Sequence, residues 1–140
     1  MTIKKIKLVS NNICFGPMPD PDTEVEQHLT INEKGQVWLS RYRYADGESR
    51  YPLVEKAYLH IKKNDAVEIL RLSEAVTNNQ EDLFVTDVGV WELIETDIGG
   101  NESRITGSMI DVESKPINDF CRIIRSALGR SDLFLLDGSQ

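Results

Sequence analysis

Residues that commonly cross-link a chain or hold a metal are scarce in this sequence. Two cysteines, Cys14 and Cys121, and two histidines, His28 and His60, are spread through 140 residues. Their spacing matches neither a disulfide framework nor a zinc site. A chain of this length can still bury a core, because folding removes roughly 68% of the unfolded surface of such a domain. We therefore expect a fold that needs no metal and no cofactor.

Long apolar runs are also missing. No stretch approaches the roughly 18 apolar residues of a membrane-spanning helix. The segment MTIKKIKLVSNNICFG begins with lysines but lacks the apolar stretch of a signal peptide. So few cysteines are typical of thiols in a reducing compartment. We expect a soluble, cytoplasmic domain that does not contact a membrane.

An excess of positive charge is absent as well. The sequence has 16 Lys and Arg residues against 23 Asp and Glu residues, a net charge of −7, which opposes general affinity for phosphate backbones. The window from Trp38 to Lys63 differs: its six bases and three acids give +3, which leaves −10 for the remainder. All four tyrosines also lie in this window. Any specialised surface should therefore come from the middle third of the chain.

The sequence also lacks recognisable catalytic motifs. No glycine-rich phosphate-binding motif occurs, and neither cysteine has the basic neighbours that activate a thiolate. The remaining candidates are scattered polar residues, of which Glu26, His28 and Arg41 are the best placed. General acid–base catalysis needs an oriented partner for the histidine, and only Glu26 lies close to His28 in the sequence. We expect a non-enzymatic domain, with a small enzyme as the alternative.

Alternation of apolar and polar residues indicates the fold. Hydrophobic residues with period two predict strands, and apolar stripes with helical spacing predict two amphipathic helices. The expected elements are strands at Ile3–Val9 and Leu53–Ile61, hairpins at 24–44 and 90–109, helices at Asp65–Asn78 and Pro116–Leu128, and a further strand within the terminal SDLFLLDG. The predicted class is α+β: a mainly antiparallel β-sheet built from hairpins, with two α-helices covering one face.

The first hairpin has a register that can be argued. A three-residue loop that ends at Gly35 pairs Ile31 with Val37, because glycine suits the left-handed loop position. Alternation along the second strand then separates two sets of side chains. Trp38, Tyr42 and Tyr44 are expected on one face of the sheet, and Arg41 and Arg43 on the other.

The second hairpin turns at Gly99 and Gly100. A loop centred on this pair sets Ile94 opposite Ile105 and Glu95 opposite Arg104, an arrangement that a cross-strand ion pair would favour.

The chain is expected to form one domain over residues 1–140. Two weakly similar halves, residues 1–78 and 79–140, are a further interpretation, because each predicts strands followed by a helix. The dipeptide at Val37–Trp38 also recurs at Val90–Trp91.

Several blocks together resemble a known family. The blocks are LTIN-x-x-GxVW at 29–38, TDxGxWEL at 86–93, GS at 107–108, IIR at 123–125 and DLFLLDG at 132–138. They resemble a family of small uncharacterised bacterial proteins with no assigned activity. The resemblance implies a single domain of that type and carries over no cofactor, partner or site residue.

The aromatic residues of the second strand are the most plausible contact residues. Trp, Tyr and Arg commonly anchor protein interfaces, so Trp38, Tyr42 and Tyr44 are predicted to bind a protein partner or a second copy of the chain. The alternative is that Trp38 packs under a helix and the tyrosines only cover the sheet. Nucleic-acid binding is disfavoured, since a stacking platform needs its cations beside its rings.

Overall fold

The protein folds into one six-stranded sheet with two helices on one side of it. The structure, a computed structural model, describes residues 2–12, 20–45, 51–78, 89–109 and 115–137. Its elements are β1 (Ile3–Asn11), β2 (Glu24–Asn32), β3 (Gln36–Arg43), β4 (Leu53–His60), α1 (Lys63–Asn78), β5 (Val90–Asp97), β6 (Glu102–Ser108) and α2 (Lys115–Leu128). The strand order is β4-β3-β2-β1-β5-β6 and every pair is antiparallel. The predicted α+β class is confirmed.

The hydrophobic core lies between the inner face of the sheet and the helices. Alternate residues of the central strands are buried, namely Ile6, Leu8, Leu29, Ile31, Val37, Leu39 and Leu93. Helix α1 contacts β1 and β2, and α2 packs against α1. Phe120 and Ile124 of α2 are fully buried in the same core. Each such side chain contributes roughly 1.5–3 kcal/mol on burial, so this face holds the fold together.

The two helices begin and end close to the predicted residues. Helix α1 begins two residues earlier than expected, at Lys63, and ends as predicted at Asn78. Helix α2 ends at Leu128, where Gly129 adopts a positive φ of 66°. The N–H of Arg130 then donates to the carbonyl of Arg125, which closes a Schellman motif. Among the described residues, no helix has the length and apolar content needed to cross a bilayer.

The register of the first hairpin is confirmed. Ile31 pairs with Val37, and Gly35 has a φ of 86°. The side chain of Asn32 sets the loop, because its Oδ1 accepts hydrogen bonds of 3.0 Å from the backbone N–H groups of both Lys34 and Gln36.

The predicted register of the second hairpin is wrong by one residue. Ile94 lies opposite Arg104, and Glu95 lies opposite Ser103. The loop has the same hydrogen-bond arrangement as the first hairpin. Asp97 Oδ1 accepts hydrogen bonds from the backbone N–H groups of Gly99 and Asn101, at 2.9 and 3.0 Å. An acceptor at the strand end therefore decides the register, and the glycine pair alone does not.

This shift turns Glu95 into the protein instead of towards Arg104. Glu95 is 3% exposed, and its carboxylate accepts hydrogen bonds of 2.6 Å from the hydroxyls of Ser73 and Thr77 on α1. Two charge-assisted hydrogen bonds satisfy the buried carboxylate and tie α1 to β5.

The carboxy-terminal segment is not the further strand that we expected. Its apolar residues, Leu133–Leu136, are buried without joining the sheet. The side chain of Gln27 instead binds the segment as a strand would, donating to Asp132 O at 3.0 Å and accepting from Phe134 N at 2.8 Å. Ser10 Oγ donates to Leu135 O at 2.8 Å. Polar side chains on β1 and β2 thus satisfy a buried backbone that has no strand partner.

The recurring Val-Trp pair falls at positions that are not equivalent. Val37 is buried and Trp38 exposed on the second strand of one hairpin. Val90 is exposed and Trp91 buried on the first strand of the other. This dipeptide therefore gives the two-halves interpretation no support, and a duplication stays a prediction.

Alanine substitutions at two loop glycines should separate conformational strain from steric conflict. Gly100 has a φ of 84° with open space around it, whereas a Cβ on Gly35 would lie 2.3 Å from Ile61 O. We expect Gly100→Ala to lower the free energy of unfolding by about 1 kcal/mol, and Gly35→Ala by at least about 2 kcal/mol. Urea denaturation measures both values. Equal losses would contradict the close approach of β4 to this loop.

Candidate functional site

The outer face of the sheet, which points away from the helices, carries a cluster of rings. Trp38 on β3 lies opposite Tyr58 on β4, with ring centroids 5.5 Å apart. Tyr58 also makes an edge contact with His60 at 6.4 Å. On β2, His28 packs against Tyr42 with a centroid distance of 4.8 Å. We call these five side chains the ring surface.

The ring surface is open where it meets the edge of the sheet. Trp38 is 39% exposed and Tyr58 is 55% exposed. Burial of Trp38 under a helix is thereby excluded. Four of the seven exposed large hydrophobic side chains in the described residues lie on β3 and β4, namely Trp38, Leu53, Val54 and Tyr58. Exposed apolar side chains concentrated on two adjacent strands are typical of binding surfaces.

Only two of the three predicted contact residues belong to this cluster. Trp38 and Tyr42 do, whereas Tyr44 lies beyond the end of β3 and stacks on Tyr51 at 6.3 Å. The sequence argument missed Tyr58 and His60 as partners of Trp38. Their alternation along β4 already placed both on one face, but only the pairing of β3 with β4 brings that face beside Trp38.

Arg41 lies on the opposite side of the sheet from the rings, as predicted. Its guanidinium forms a two-pronged ion pair with Glu24, with both N–O distances 2.6 Å, and a third bond of 2.6 Å to Asp132. Glu55 completes the group at 3.4 Å. The hydrogen bonds that Arg41 donates to Glu24 and Asp132 raise its already high pKa, although partial burial opposes the shift. Arg41 therefore links β2, β3, β4 and the carboxy-terminal segment.

Other cations do share the outer face with the rings. Lys7 on β1 lies opposite Thr30, which in turn lies opposite Trp38. Lys56 on β4 lies opposite Ser40, two residues from Tyr58 on the same face. Both lysines, and Lys5 beside them, are exposed. The separation of cations from rings thus holds for Arg41 and fails for these lysines, which come from neighbouring strands.

Glu26 and His28 form the one acid–base pair on this face that we predicted. Glu26 Oε2 lies 2.8 Å from His28 Nε2, and Asn11 Nδ2 donates to the other carboxylate oxygen at 3.1 Å. The hydrogen bond from His28 holds the pKa of Glu26 below its ordinary value, with a smaller contribution from Asn11, although partial burial opposes the shift.

The surroundings of this pair do not suit catalysis. Ser40 is directly opposite His28, yet β2 and β3 are interior strands whose backbone N–H groups bind neighbouring strands. Backbone donors for an oxyanion are consequently not available beside the serine. The depression nearest to Glu26 extends towards Val90 and Glu92, and His28 does not line it. Arg41, the third residue of the enzyme alternative, lies on the other face.

Few side chains in the described residues are arranged for cofactor binding or nucleophilic catalysis. In that part of the chain, no three His, Cys, Asp or Glu side chains gather as a metal site. Burial raises the pKa of the Cys121 thiol to about 12, so this cysteine does not supply a thiolate at neutral pH. Cys14 lies outside the described residues.

Comparison with known proteins adds no further constraint: no protein-family model matches the chain, and no curated protein matches it.

Removal of the His28 imidazole should raise the pKa of Glu26. The carboxylate is ionised at neutral pH, and its bond to His28 stabilises the folded state above the ordinary Glu pKa, near 4.3. That contribution is lost as the pH falls through the lower pKa of the folded state. In His28→Ala we therefore expect the Glu26 pKa to rise, measured by carboxyl ¹³C NMR titration. His60→Ala, on the same face without a contact to Glu26, should leave it unchanged.

Substitution of Arg41 should cost far more stability than substitution of its neighbour Arg43. Arg41→Met would leave two carboxylates facing each other at a partly buried site, with an expected loss of about 2 kcal/mol in the free energy of unfolding. The side chain of Arg43 makes one bond to the described residues, 3.3 Å to Pro21 O, and Arg43→Met should cost less than about 0.5 kcal/mol. Urea unfolding at neutral pH compares them. A similar loss in both variants would show that the ion-pair group is not structural.

Proposed function

We propose that this chain is a non-enzymatic interaction domain that binds a protein partner or a second copy of itself through the ring surface and the adjoining strand β4. One observation carries the proposal: Trp38 and Tyr58 are 39% and 55% exposed while lying in ring contact with each other. Exposed Trp and Tyr side chains contribute large contact areas, and such residues dominate the energetics of interfaces.

The arrangement supports binding because its rings are already ordered. Trp38 and Tyr58 rest on adjacent strands of a continuous sheet, and Gln36 donates a hydrogen bond of 3.1 Å to the hydroxyl of Tyr58. A side chain that is held before binding loses less conformational entropy on binding. Ser40 and Lys56 provide a polar rim beside the rings, which is the usual anatomy of an interface.

The predicted contact residues take different places in this proposal. Trp38 forms the centre with Tyr58, and Tyr42 extends the surface to β2 through its contact with His28. Tyr44, stacked on Tyr51 beyond β3, is a peripheral contact. We place the interaction in the cytoplasm, in keeping with the reduced and buried Cys121.

A second candidate function, binding of single-stranded nucleic acid, is favoured by one observation. Lys5, Lys7 and Lys56 share the outer face with Trp38, and stacking platforms combine rings with nearby cations. The net charge of −7 and the carboxylate of Glu92 on the same face oppose it. A mobility-shift titration at low salt with a single-stranded oligonucleotide separates the two functions, since only the second predicts a complex.

The fluorescence of Trp38 provides a direct test of protein binding. In a Trp91→Phe background, Trp38 is the remaining tryptophan, and its exposure makes it accessible to acrylamide in dilute solution. We expect acrylamide quenching of Trp38 to fall when a protein covers the surface. That protein is either a purified binding partner or, at higher concentration, a further copy of the chain. Tyr58→Ser should abolish this protection, because it removes the neighbouring anchor.

The matched control is Val67→Ser, which removes an exposed apolar side chain from α1, away from the rings. It should leave both the protection and the mass measured by light scattering unchanged. The proposal is refuted if acrylamide still quenches Trp38 fully at the highest attainable concentration of the chain and in the presence of each purified binding partner.

A further inference from the structure

The sheet has two edge strands of different character. Strand β6, with the sequence ESRITGS, presents mostly polar and charged side chains. Strand β4, LVEKAYLH, instead exposes Leu53, Val54 and Tyr58 at 52%, 59% and 55%. Natural edge strands usually carry charges, prolines or bulges that discourage further pairing. β4 has a bulge at Val54, but from Glu55 to His60 its pairing with β3 is regular and its outer face carries a single lysine, Lys56. This regular stretch is the part of the edge that is open to a further strand.

The backbone of β4 is oriented for a further strand. Ile61 N donates to Gly35 O at 2.9 Å, so the odd-numbered residues of this strand direct their N–H and C=O groups towards β3. Alternation directs the groups of Lys56, Tyr58 and His60 to the opposite side, whereas the bulge at Val54 interrupts the alternation. Within the described residues, no strand pairs with β4 on that side. Between Lys56 and His60, an incoming strand would therefore meet a regular row of donors and acceptors.

We propose that β4 pairs antiparallel with β4 of a second copy, with Ala57 on the two-fold axis and Lys56 opposite Tyr58 of the other copy. The two sheets then form one continuous sheet, and the two ring surfaces become neighbours. The inference rests on the proposed function and specifies its partner: the chain binds itself through the edge next to Trp38.

Side-chain chemistry selects this register from those that keep the sheet faces matched. With Lys56 on the axis, two ammonium groups would face each other, a destabilising arrangement. With Tyr58 on the axis, Lys56 would lie opposite His60, whose imidazole is not one of the rings that bind cations well and which repels an ammonium group when it is protonated. With Ala57 on the axis, each Lys56 lies over a Tyr58 ring, and cation–π attraction contributes twice per dimer.

The remaining contacts agree with an axis at Ala57. Its methyl group permits the close approach of a non-hydrogen-bonded pair, where Cα atoms lie about 4.5 Å apart. The outward backbone groups of Lys56 and Tyr58 meet as a hydrogen-bonded pair in the same register. On the inner face Glu55 would lie opposite Leu59, and its charge is already neutralised by Arg130 at 3.1 Å and Arg41 at 3.4 Å.

A cysteine scan along β4 tests both the dimer and its register. In a Cys14→Ser background, Ala57→Cys should form a covalent dimer under mild oxidation faster than Lys56→Cys or Tyr58→Cys, because only position 57 meets itself within disulfide reach. Val54→Cys is the matched control: in this register its two copies lie six residues apart, about 20 Å. Fastest cross-linking at position 56, 58 or 54, or at none, overturns the inference.

A second measurement avoids cysteine. Val54→Lys adds a charge to the β4 edge twice per symmetric dimer, and we expect about tenfold weaker dimerisation in sedimentation equilibrium. Thr106→Lys, the equivalent change on the exposed outer side of β6, should leave the dissociation constant unchanged. Equal effects of the two substitutions would overturn the edge pairing.

Failure of this inference can be distinguished from failure of the proposed function. If the chain remains monomeric and uncross-linked while a different protein protects Trp38 from acrylamide, the edge dimer is wrong and the interaction domain stands. If nothing protects Trp38 and no dimer forms, both are wrong.

Discussion

The arrangement of this protein depends on one short loop. Asn32 accepts two backbone hydrogen bonds across the turn, and Gly35 takes the left-handed conformation that closes it. Together they set which residues of β2 and β3 are opposite each other. Because side chains alternate along a strand, a slip of one residue would exchange the buried and exposed sets. The carbonyl oxygen of Gly35 also accepts a hydrogen bond from the N–H of Ile61, so the loop positions β4 as well.

This register determines which side chains lie on each face of the sheet. The inner face holds the apolar core and, towards its end, a polar group in which Arg41 joins Glu24 and Asp132. Gln27 and Ser10 add hydrogen bonds to the backbone of the terminal segment. These bonds replace a sheet partner for a segment that packs without being a strand. The outer face is free of helices and keeps its rings accessible, which makes it the surface on which a function can be built.

Local patterns predicted the elements well and their long-range partners poorly. Period-two alternation located the strands, and helical spacing located both helices, because these periods are properties of the chain itself. The predicted register of the second hairpin is one residue out because the glycine pair does not define it, whereas Asp97, the counterpart of Asn32, does. That equivalence is visible in the sequence, as an Asx residue three positions before the loop glycine in both cases. The terminal segment was mistaken for a strand because apolar runs of that length suit a strand or a buried loop equally.

The candidate site divides in the same way between local and long-range information. Alternation along one strand was enough to predict that Trp38 and Tyr42 share a face and that Arg41 lies on the other. In contrast, it is the pairing between strands that brings Tyr58 and His60 beside Trp38 and Lys7 to the same face. Tyr44 lies beyond the end of β3 and stacks on Tyr51. Those neighbours depend on which strands pair and where β3 ends. Pairing is settled by the packing of the whole core against the helices, which no single segment encodes.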